Sequence, residues 1–353
     1  MTSSPTPARV AVVVLNWNGL AWTSAAVRSL LAQTHAAVEI HVVDNGSAND
    51  EAAALRAEFG DRIRLLALPV NTGFTGGNNA AFELVLAEAR CEFVALLNND
   101  AEADPEWIAE LLRAAETEPR TGIVASRMCL QADPDRLDNA GVWLLGSGDV
   151  APRGRLQVAA SWNEPDRLLA ACGGALLLRG EMLRRIGLFR ADFFANFEDA
   201  DLSLRAVMAG YGVRYAPAAR VRHRLNATIR RVRDTEFDVR SVRNATWAWL
   251  VNLPLPVLLL NLPSFVCANL AVLLLLPLAG RPRAAWAFLR GRLRALRELP
   301  AIAAERRRLR PLRAAPPWWR LWWAQRSFVV EYARLGWLAL RGGRIGVMDR
   351  SQV

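Results

Sequence analysis

The stretch that decides the fold is FVALLNNDAEAD, at residues 93–104. Its first five residues, FVALL, are all apolar, which is typical of a strand buried on both faces of a sheet and is too short for a helix. Polar residues follow at once, so we expect Asn98, Asn99 and Asp100 at the carboxyl end of this strand. In an open α/β sheet, the carboxyl ends of the strands form the crevice in which ligands bind. This stretch therefore predicts a polar binding edge.

The acid at the end of this strand has two interpretations. Asp100 could hold a divalent cation through hard oxygen ligands, with a diphosphate completing the coordination. Alternatively, Asp100 or Asp104 could cap a helix that begins near Pro105. The sequence around the stretch has to decide between these two interpretations.

Three more apolar runs, at residues 10–15, 38–43 and 63–68, alternate with helical patterns before this strand. Such alternation predicts an α/β fold with a mostly parallel sheet flanked by helices and joined by right-handed crossovers. Each run ends in a polar cluster. The clusters are NWNG at 16–19, DNGS at 44–47 and NTGFTGGNN at 71–79. Because the carboxyl ends of parallel strands meet at one edge, these clusters are expected to converge on Asp100.

Residues in these clusters also have alternative interpretations. Asp44 could accept hydrogen bonds from a base or a ribose, or it could form an Asx-turn with Asn45. Gly73, Gly76 and Gly77 would allow close approach to a phosphate or nucleobase, or they could serve a loop that needs positive φ. The motifs GxGxxG after the first strand and GxxxxGK[ST] are both absent, which disfavours a Rossmann dinucleotide site and a P-loop.

A dense acidic group follows in FEDADLSLR, at residues 197–205. Glu198, Asp199 and Asp201 fall in the first turn of a predicted helix, where acids favour the positive end of the helix dipole. Three carboxylates in four residues are more than a cap needs, and apolar surroundings raise the pKa of a carboxyl group toward the range of a general base. His223, after a strand-like run, is a candidate metal ligand or a structural histidine.

The cysteines and the amino terminus bear on the cellular compartment. The four cysteines lie far apart without a CxxC pair, so neither a zinc site nor a disulfide framework is indicated, and a reducing compartment is expected. The first apolar run resembles a first strand more than a signal peptide. We therefore expect the bulk of the protein in the cytoplasm. Residues 127–166 have weak periodicity and are expected to form irregular chain on the acceptor side.

The carboxyl-terminal part differs in composition from the rest. Residues 281–353 carry 17 arginines and 4 acids, a net +13, which leaves −3 for residues 1–280. Residues 250–278 are almost entirely apolar and long enough to span a bilayer. Their prolines also permit a kinked span, a re-entrant hairpin or a buried helical subdomain. Tryptophans interleaved with arginines follow, as in an interfacial helix. We expect two domains, 1–240 and a helical, membrane-associated region at 241–353.

Together these motifs resemble the family 2 glycosyltransferases, and among them the bacterial rhamnosyltransferase-like subset. The resemblance covers about residues 8–225 and depends on the order and spacing of NWNG, VVDNGS, NTGFTGGNN, LLNND, GGALLLR and FEDADLSLR. It implies a GT-A fold, a nucleotide-diphosphate sugar donor, Mg or Mn as cofactor, and inversion at the anomeric carbon.

The resemblance also implies a role for each matching residue. Asp199 would be the base that deprotonates the acceptor hydroxyl, and Glu198 would help to orient the acceptor. Asp100 would bind the metal, with His223 supporting it. The family's DxD motif is reduced to NND, so Asp100 is its single acid. Nucleotide-sugar contacts are implied for Asn16, Asp44 (base), Gly73, Gly77, Asn78 and Asn99 (ribose).

The expected function is transfer of a sugar, with rhamnose as the first guess, to a hydroxyl of a lipid-linked or polysaccharide acceptor in cell-envelope glycan synthesis. We expect the enzyme on the cytoplasmic face of the cell membrane. Three alternatives are a nucleic-acid-binding protein, a nucleotidyltransferase and a catalytically silent glycan- or nucleotide-binding relative. The first two are disfavoured, because the arginines follow a long apolar run and because NWNG lacks the charge of a triphosphate loop.

Overall fold

The computed structural model describes residues 7–224, 233–314 and 316–340. Residues 1–6 of the predicted first domain and residues 341–353 of the predicted carboxyl-terminal region lie outside the described residues.

Twelve strands and twelve α-helices occur in this part of the chain. The strands are β1 (Val10–Asn16), β2 (Val38–Asn45), β3 (Arg64–Leu68), β4 (Phe93–Leu97), β5 (Ala101–Ala103), β6 (Thr121–Leu130), β7 (Asp133–Asn139), β8 (Val142–Leu144), β9 (Val150–Pro152), β10 (Asp166–Leu168), β11 (Ala175–Arg179) and β12 (Gly212–His223). The helices are α1 (Leu20–Leu31), α2 (Glu51–Phe59), α3 (Gly73–Glu88), α4 (Trp107–Glu116), α5 (Gly180–Ile186), α6 (Glu198–Met208), α7 (Thr235–Asn252), α8 (Leu255–Leu278), α9 (Pro282–Arg297), α10 (Leu299–Leu309), α11 (Trp318–Trp323) and α12 (Phe328–Leu340).

Ten of the strands form one mixed sheet in the order β10-β12-β6-β11-β4-β1-β2-β3, with β5 beside β12 and β7 beside β6. The predicted α/β fold is confirmed, and the amino-terminal strands β3, β2, β1 and β4 are parallel as expected. The sheet is mixed because β11 runs antiparallel between β4 and β6. This arrangement places the start of β11 beside the end of β4.

Helices cover both faces of the sheet, and the strands supply a core to each. In β1, Val10, Val12 and Val14 face the core under α1, α2 and α4, whereas Ala11 and Val13 face the core under α3, α5 and α6. All five residues of β4 are buried. A strand enclosed on both faces has to be continuously apolar, which explains the run that first indicated it.

Two expectations about the middle of the chain were wrong. Residues 127–166 are not irregular: they form the end of β6, then β7 and the β8–β9 hairpin. Strands of three residues are too short to show periodicity, and β7 is fixed by pairing with β6. The capping alternative is not observed either, because α4 begins at Trp107 without a side-chain cap and Asp100 is followed by β5.

The apolar carboxyl-terminal run is divided between two helices. Helix α7 ends at Asn252, and α8 begins at Leu255 after Pro254, whose ring cannot continue the preceding helix. The boundary predicted between residues 240 and 241 falls inside α7, and the division into domains stays a prediction. Asn252 donates a hydrogen bond to the buried Asp201 of α6 at 2.8 Å, so α7 is attached to the sheet domain.

Candidate active site

The carboxyl ends of β1 and β2 hold a buried network of hydrogen bonds. Asn16 and Asp44 lie opposite each other in the parallel register. Asn16 Nδ2 donates to Asp44 Oδ1 at 2.8 Å and to Glu51 Oε2 at 2.9 Å. Thr23 Oγ1 donates to Asn16 Oδ1 at 2.5 Å, and the Ser47 amide donates to Asp44 Oδ2 at 3.3 Å. Asn16 therefore holds the Asp44 carboxylate in place, and Asp44 bonds the amide three residues on, not the amide two residues on that an Asx-turn uses.

Asn99 joins this network from the end of β4. Its Nδ2 donates to Thr23 Oγ1 at 3.2 Å, and its side chain is buried. A Cβ at Gly19 would lie 2.5 Å from that Nδ2, so the glycine of NWNG leaves the space that Asn99 fills. The structure thus brings Asn16, Asp44 and Asn99 together at one edge of the sheet.

The glycine-rich segment forms the first turns of α3 and is not an open loop. Gly73 has φ +77°, and a Cβ there would lie 2.4 Å from the carbonyl oxygen of Phe194. A Cβ at Gly77 would lie 2.3 Å from the side chain of Leu15. Asn78 donates at 2.8 Å to a carbonyl one turn earlier in its own helix. Internal packing accounts for these three residues, and their contacts with a nucleotide sugar stay predictions.

A row of alternating acids and bases crosses the end of the sheet. Strand β5 pairs with the end of β12, which places His223 opposite Ala101. His223 Nε2 lies 3.1 Å from Asp100 Oδ1, and its Nδ1 lies 2.7 Å from Asp138 Oδ2. Asp138 Oδ1 lies 2.8 Å from a guanidinium nitrogen of Arg155. Each buried charge in this row therefore has a neighbour of opposite sign.

Pairing outweighs burial in setting the protonation of the row. Burial alone would lower the pKa of His223, but its hydrogen bonds to Asp100 and Asp138 and their charges raise that pKa to about 10. Burial raises the pKa of Asp138, but the Arg155 charge and the His223 hydrogen bond bring it below its ordinary value. Without a bound metal, His223 is therefore a cation at neutral pH, held between carboxyl groups, and its Nε2 has to lose its proton before it can bind a metal ion.

The second acidic group begins α6. Asp199 Oδ2 accepts a hydrogen bond from the Gly173 amide at 2.8 Å, and its Oδ1 accepts one from the Ala200 amide at 2.7 Å. Glu198 is buried, and its Oε2 has no hydrogen-bond partner among the described residues. The backbone amides hold Asp199 in one orientation, whereas one oxygen of Glu198 is left uncompensated.

Burial dominates the protonation of this pair. It raises the pKa of Glu198 well above the ordinary value, and the charge of Asp199 raises it further. Burial also raises the pKa of Asp199, although the amides of Gly173 and Ala200 oppose the shift. A carboxylate with a raised pKa is a stronger base, which is the property needed to take a proton from an alcohol.

The loop before α6 is strained and held from the carboxyl-terminal region. Its non-glycine residues with positive φ are Phe194 (61°), Asn196 (69°) and Phe197 (69°). Such conformations persist only where the surroundings impose them. Asn244 of α7 donates to the carbonyls of Phe193 at 2.9 Å, Ala195 at 3.2 Å and Asn196 at 3.1 Å. One buried amide therefore holds the loop that delivers the two acids.

The two acidic groups meet where β11 starts beside β4. The amide of Asn98, two residues before Asp100, donates to the carbonyl of Gly174 at 2.8 Å. The preceding residue, Gly173, is the one whose amide donates to Asp199. A short path through the backbones of β4 and β11 therefore connects Asp100 with Asp199.

The Cys172 thiol reports the same proximity. Burial raises its pKa, the charges of Asp199 and Asp138 raise it further, and the charge of Arg155 lowers it. The Cys172 thiol is thus close enough to interact with Asp199 and also with Asp138 and Arg155 of the row around His223.

The residues of the row fit a divalent cation only in part. Among the described residues, no group of three or more His, Cys, Asp or Glu side chains is arranged to hold a metal ion. However, Asp138 on the Nδ1 side of His223 matches the carboxylate–histidine pair that orients metal-bound imidazoles, and Asp100 stands at Nε2. Two protein ligands suit Mg²⁺ or Mn²⁺ when a diphosphate supplies the rest.

Sequence reasoning missed several residues that shape this site. Asp138 and Arg155 lie in the segment that was expected to be irregular, and Thr23 lies inside α1. Gly173 contributes a backbone amide, which any residue possesses. The adjacent DN of residues 138–139 was the available signal for Asp138, but its partner His223 is 85 residues away along the chain.

Comparison with known proteins found a family match for the amino-terminal part of the chain. Residues 11–160 match the family model described as glycosyl transferase family 2. The uncharacterized protein y4gI of Sinorhizobium fredii is 31% identical over 62% of this chain and 25% of its own length. The succinoglycan biosynthesis protein ExoO of Rhizobium meliloti is 33% identical over 30% of each chain. The chain thus spans well under half of these relatives.

Two solved structures share the fold. One is a mannosyltransferase from Pyrobaculum calidifontis in complex with GDP-Man and Mn²⁺, with a TM-score of 0.51 and 18% identity, covering 85% of this chain and 81% of that one. The other is GalNAc-T7 with UDP, GalNAc and Mn²⁺, with a TM-score of 0.55 and 16% identity, covering 70% of this chain and 48% of that one. Residues 11–160 therefore resemble the glycosyl transferase family 2 model, and the chain has a GT-A-like fold.

Proposed function

We propose that the protein is an inverting glycosyltransferase that moves a sugar from a nucleotide-diphosphate sugar to an acceptor hydroxyl. The observation that carries the proposal is the path from Asp100 through Asn98, Gly174 and Gly173 to Asp199. Asp100, which can bind a diphosphate through a cation, and Asp199, which can accept a proton from an alcohol, therefore lie at the same end of the sheet. A single displacement needs these two groups on either side of the transferred sugar.

The donor side would hold the nucleotide and its diphosphate. We assign Asp44 to the base and Asn99 to the ribose, both held by the network around Asn16. Asp100 would hold a divalent cation together with His223 once the Nε2 proton of His223 is released, and Asp138 would fix the imidazole orientation. Such a cation offsets the negative charge that develops on the leaving nucleotide diphosphate.

The acceptor side would remove the proton. Asp199, held by two backbone amides, would accept the proton of the attacking hydroxyl, which makes the oxygen a better nucleophile. Glu198 would help to orient the acceptor. Attack from the face opposite the leaving diphosphate inverts the anomeric carbon. Rhamnose is the first candidate sugar, from the sequence resemblance alone.

The acceptor would be a lipid-linked or polysaccharide glycan at the cytoplasmic face of the membrane. The similarity to ExoO, a succinoglycan biosynthesis protein, supports a polysaccharide acceptor. Among the described residues, α8 is the one helix long and apolar enough to cross a membrane. Its mean hydropathy is 2.1, and only 17% of its most apolar stretch is buried. Recovery of the full-length protein in the soluble fraction at moderate salt without detergent would contradict the membrane assignment.

A thermal-shift panel of nucleotide sugars with Mn²⁺ tests the proposal. A ligand that binds the native state raises the melting temperature, and the stabilisation grows with the logarithm of its concentration relative to its Kd. We expect one nucleotide sugar to stabilise the protein selectively and only weakly without Mn²⁺. A transfer assay with that donor then follows. Stabilisation by none of the donors would contradict the proposal, and stabilisation without transfer or donor hydrolysis would indicate a catalytically silent relative.

A further inference from the structure

Helix α8 has one packed face and one exposed apolar face. Its 24 residues extend about 36 Å at 1.5 Å per residue. Val257, Asn261 and Ala268 are buried and, at 100° per residue, lie on one side. The opposite side is apolar and open to solvent. It carries Leu255 (60% exposed), Leu259 (60%), Leu262 (51%), Val266 (45%) and Leu270 (55%).

The packed face lies against the glycosyltransferase domain. Phe265 of α8 stacks on Trp249 of α7 with ring centroids 5.1 Å apart and an angle of 11°. Gly148, in the turn between β8 and β9, lies so close to both rings that a Cβ there would be 3.1 Å from Phe265. Asn261 Nδ2 donates to Gln325 Oε1 at 2.7 Å. The first four turns of α8 are thus covered on one side by protein.

Charged groups accompany this packed face. Arg292 Nε donates to Asn269 Oδ1 of α8 at 2.8 Å, and another of its nitrogens donates to Thr246 Oγ1 at 2.6 Å. Asp149, beside Gly148, accepts a hydrogen bond from Tyr332 at 3.2 Å. If α8 crossed the bilayer with this packing, these charges would lie at hydrocarbon depth. A single arginine or aspartate is energetically unfavourable at the centre of a membrane-spanning helix.

The surroundings of the exposed face suit an anionic membrane surface. Exposed tryptophans and arginines are typical of helices that lie at the boundary between headgroups and acyl chains. Arg326 pairs through its backbone with β8, and α11 packs against α8, so this group lies beside α8. The exposed members are Trp286, Trp318, Trp319, Trp323, Arg283, Arg320 and Arg326.

We propose that α8 lies in the plane of one leaflet, with its exposed apolar face among the acyl chains of an anionic bilayer and its packed face toward the glycosyltransferase domain. This inference deepens the membrane assignment of the proposed function and rests on it. Helix α8 then attaches the protein to one side of the membrane and does not itself cross it. The β8–β9 hairpin, whose Val142 packs with Ala200 beside Asp199, then carries the active site close to the lipid surface. A lipid-linked acceptor reaches the base without leaving the membrane.

The depth of three positions along α8 distinguishes an in-plane helix from a crossing one. Cys267 is exposed and Cys172 is half-buried, whereas Cys91 and Cys129 are buried. In a Cys172→Ser, Cys267→Ser background, single cysteines replace Leu255, Val266 or Leu278, which are exposed and leave the packed face intact. Each full-length variant is labelled with an environment-sensitive fluorophore and added to phosphatidylethanolamine–phosphatidylglycerol vesicles. Lipids with a spin label near the headgroup or near the chain end then report depth by quenching.

An in-plane helix predicts a blue-shifted emission at all three positions and stronger quenching by the shallow spin label at each. A crossing helix predicts stronger quenching of the Val266 probe by the deep label and protection of one end from an aqueous quencher added outside. That second pattern would overturn the in-plane inference but leave membrane attachment standing. Ala57→Cys, exposed on α2, is the matched control and should show no shift. No shift on vesicles at any position would overturn both, while the donor panel remains an independent test of sugar transfer.

Discussion

The two acidic groups of the candidate active site handle buried charge in opposite ways. In the row of Asp100, His223, Asp138 and Arg155, each charged group has an oppositely charged neighbour, and pairing outweighs burial. In the pair of Glu198 and Asp199, burial dominates, and the carboxyl groups receive only backbone amides or no partner at all. Pairing holds the charged side chains of the row in fixed positions, as a site for a divalent cation requires. An unpaired group with a raised pKa can exchange a proton.

The backbone explains how one edge of the sheet supports both arrangements. The row is held by strand pairing, since His223 is fixed by the register of β12 with β5. The pair follows a strained loop, which Asn244 holds from outside the sheet. Replacements on each side should therefore have different consequences, and these consequences test the comparison.

The largest effect is expected for Asp199→Asn. The amide cannot accept the proton of the acceptor hydroxyl, so we expect turnover to fall by roughly 10²- to 10⁴-fold, the usual contribution of a general base. Donor affinity and melting temperature should stay close to those of the wild type, because the Gly173 amide keeps an oxygen to bind and only the amide of the adjacent Ala200 loses its acceptor. Turnover is measured with the donor identified by the thermal-shift panel. A variant that retains near-wild-type transfer would remove the base assignment.

Asp138→Asn should weaken metal binding with a smaller effect. It removes the carboxylate that orients His223, and loss of such a partner usually costs about 10- to 100-fold in metal affinity. Mn²⁺ affinity is measured by titration in the presence of a nucleoside diphosphate. Asp133→Asn, an exposed aspartate of the same strand, is the matched control and should leave the affinity unchanged. Equal affinities for both variants would show that the row does not hold the cation.

Asn244→Ala should loosen the loop that delivers the base. Three backbone carbonyls lose their donor, which costs about 1–3 kcal/mol of stability when buried groups are left unsatisfied. We expect kcat to fall about tenfold, since sub-ångström misplacement of a catalytic group has large effects, while the KM for donor stays constant. Asn79→Ala, which removes two bonds to the Phe189 backbone instead, is the control. A rise in donor KM with unchanged kcat would place the loop on the donor side.

Glu198→Gln should have the smallest effect. We expect it to increase the stability of the protein at high pH. Because folding raises the pKa of Glu198, the native state binds the proton more tightly than the unfolded chain, and this contribution is lost as pH rises through the raised pKa. The neutral amide avoids that loss. We expect the variant to melt above the wild type at about pH 8 and the difference to shrink toward about pH 5. A wild type that is more stable than the variant at both pH values would contradict the uncompensated burial.

The sequence predicted those parts of the site that depend on local order along the chain. The apolar runs ended in polar clusters, and parallel strands bring such ends together, so the meeting of Asn16, Asp44 and Asn99 with Asp100 followed from the pattern alone. The acids of FEDAD were visible as a local excess. In both cases the residues that mattered were neighbours in sequence or followed strands of the same direction.

The remaining parts depend on contacts that no local pattern encodes. Asp138 reaches His223 through the pairing of β7 with β6 and of β6 with β12. The glycines of residues 73–77 looked like a ligand loop, but the structure shows that their missing side chains make room for Phe194 and Leu15. The exposed face of α8 could not be predicted either, since the helix is apolar all round and only its packing shows which side is covered.

The most direct test of the account is a crystal structure with Mn²⁺ and the nucleoside diphosphate selected by the thermal-shift panel. The account predicts the cation at Asp100 and His223, the diphosphate bound to it, and the Asp199 carboxylate across the same cleft with an open path between them. A cation bound elsewhere, or Asp199 separated from the diphosphate by packed side chains, would contradict it.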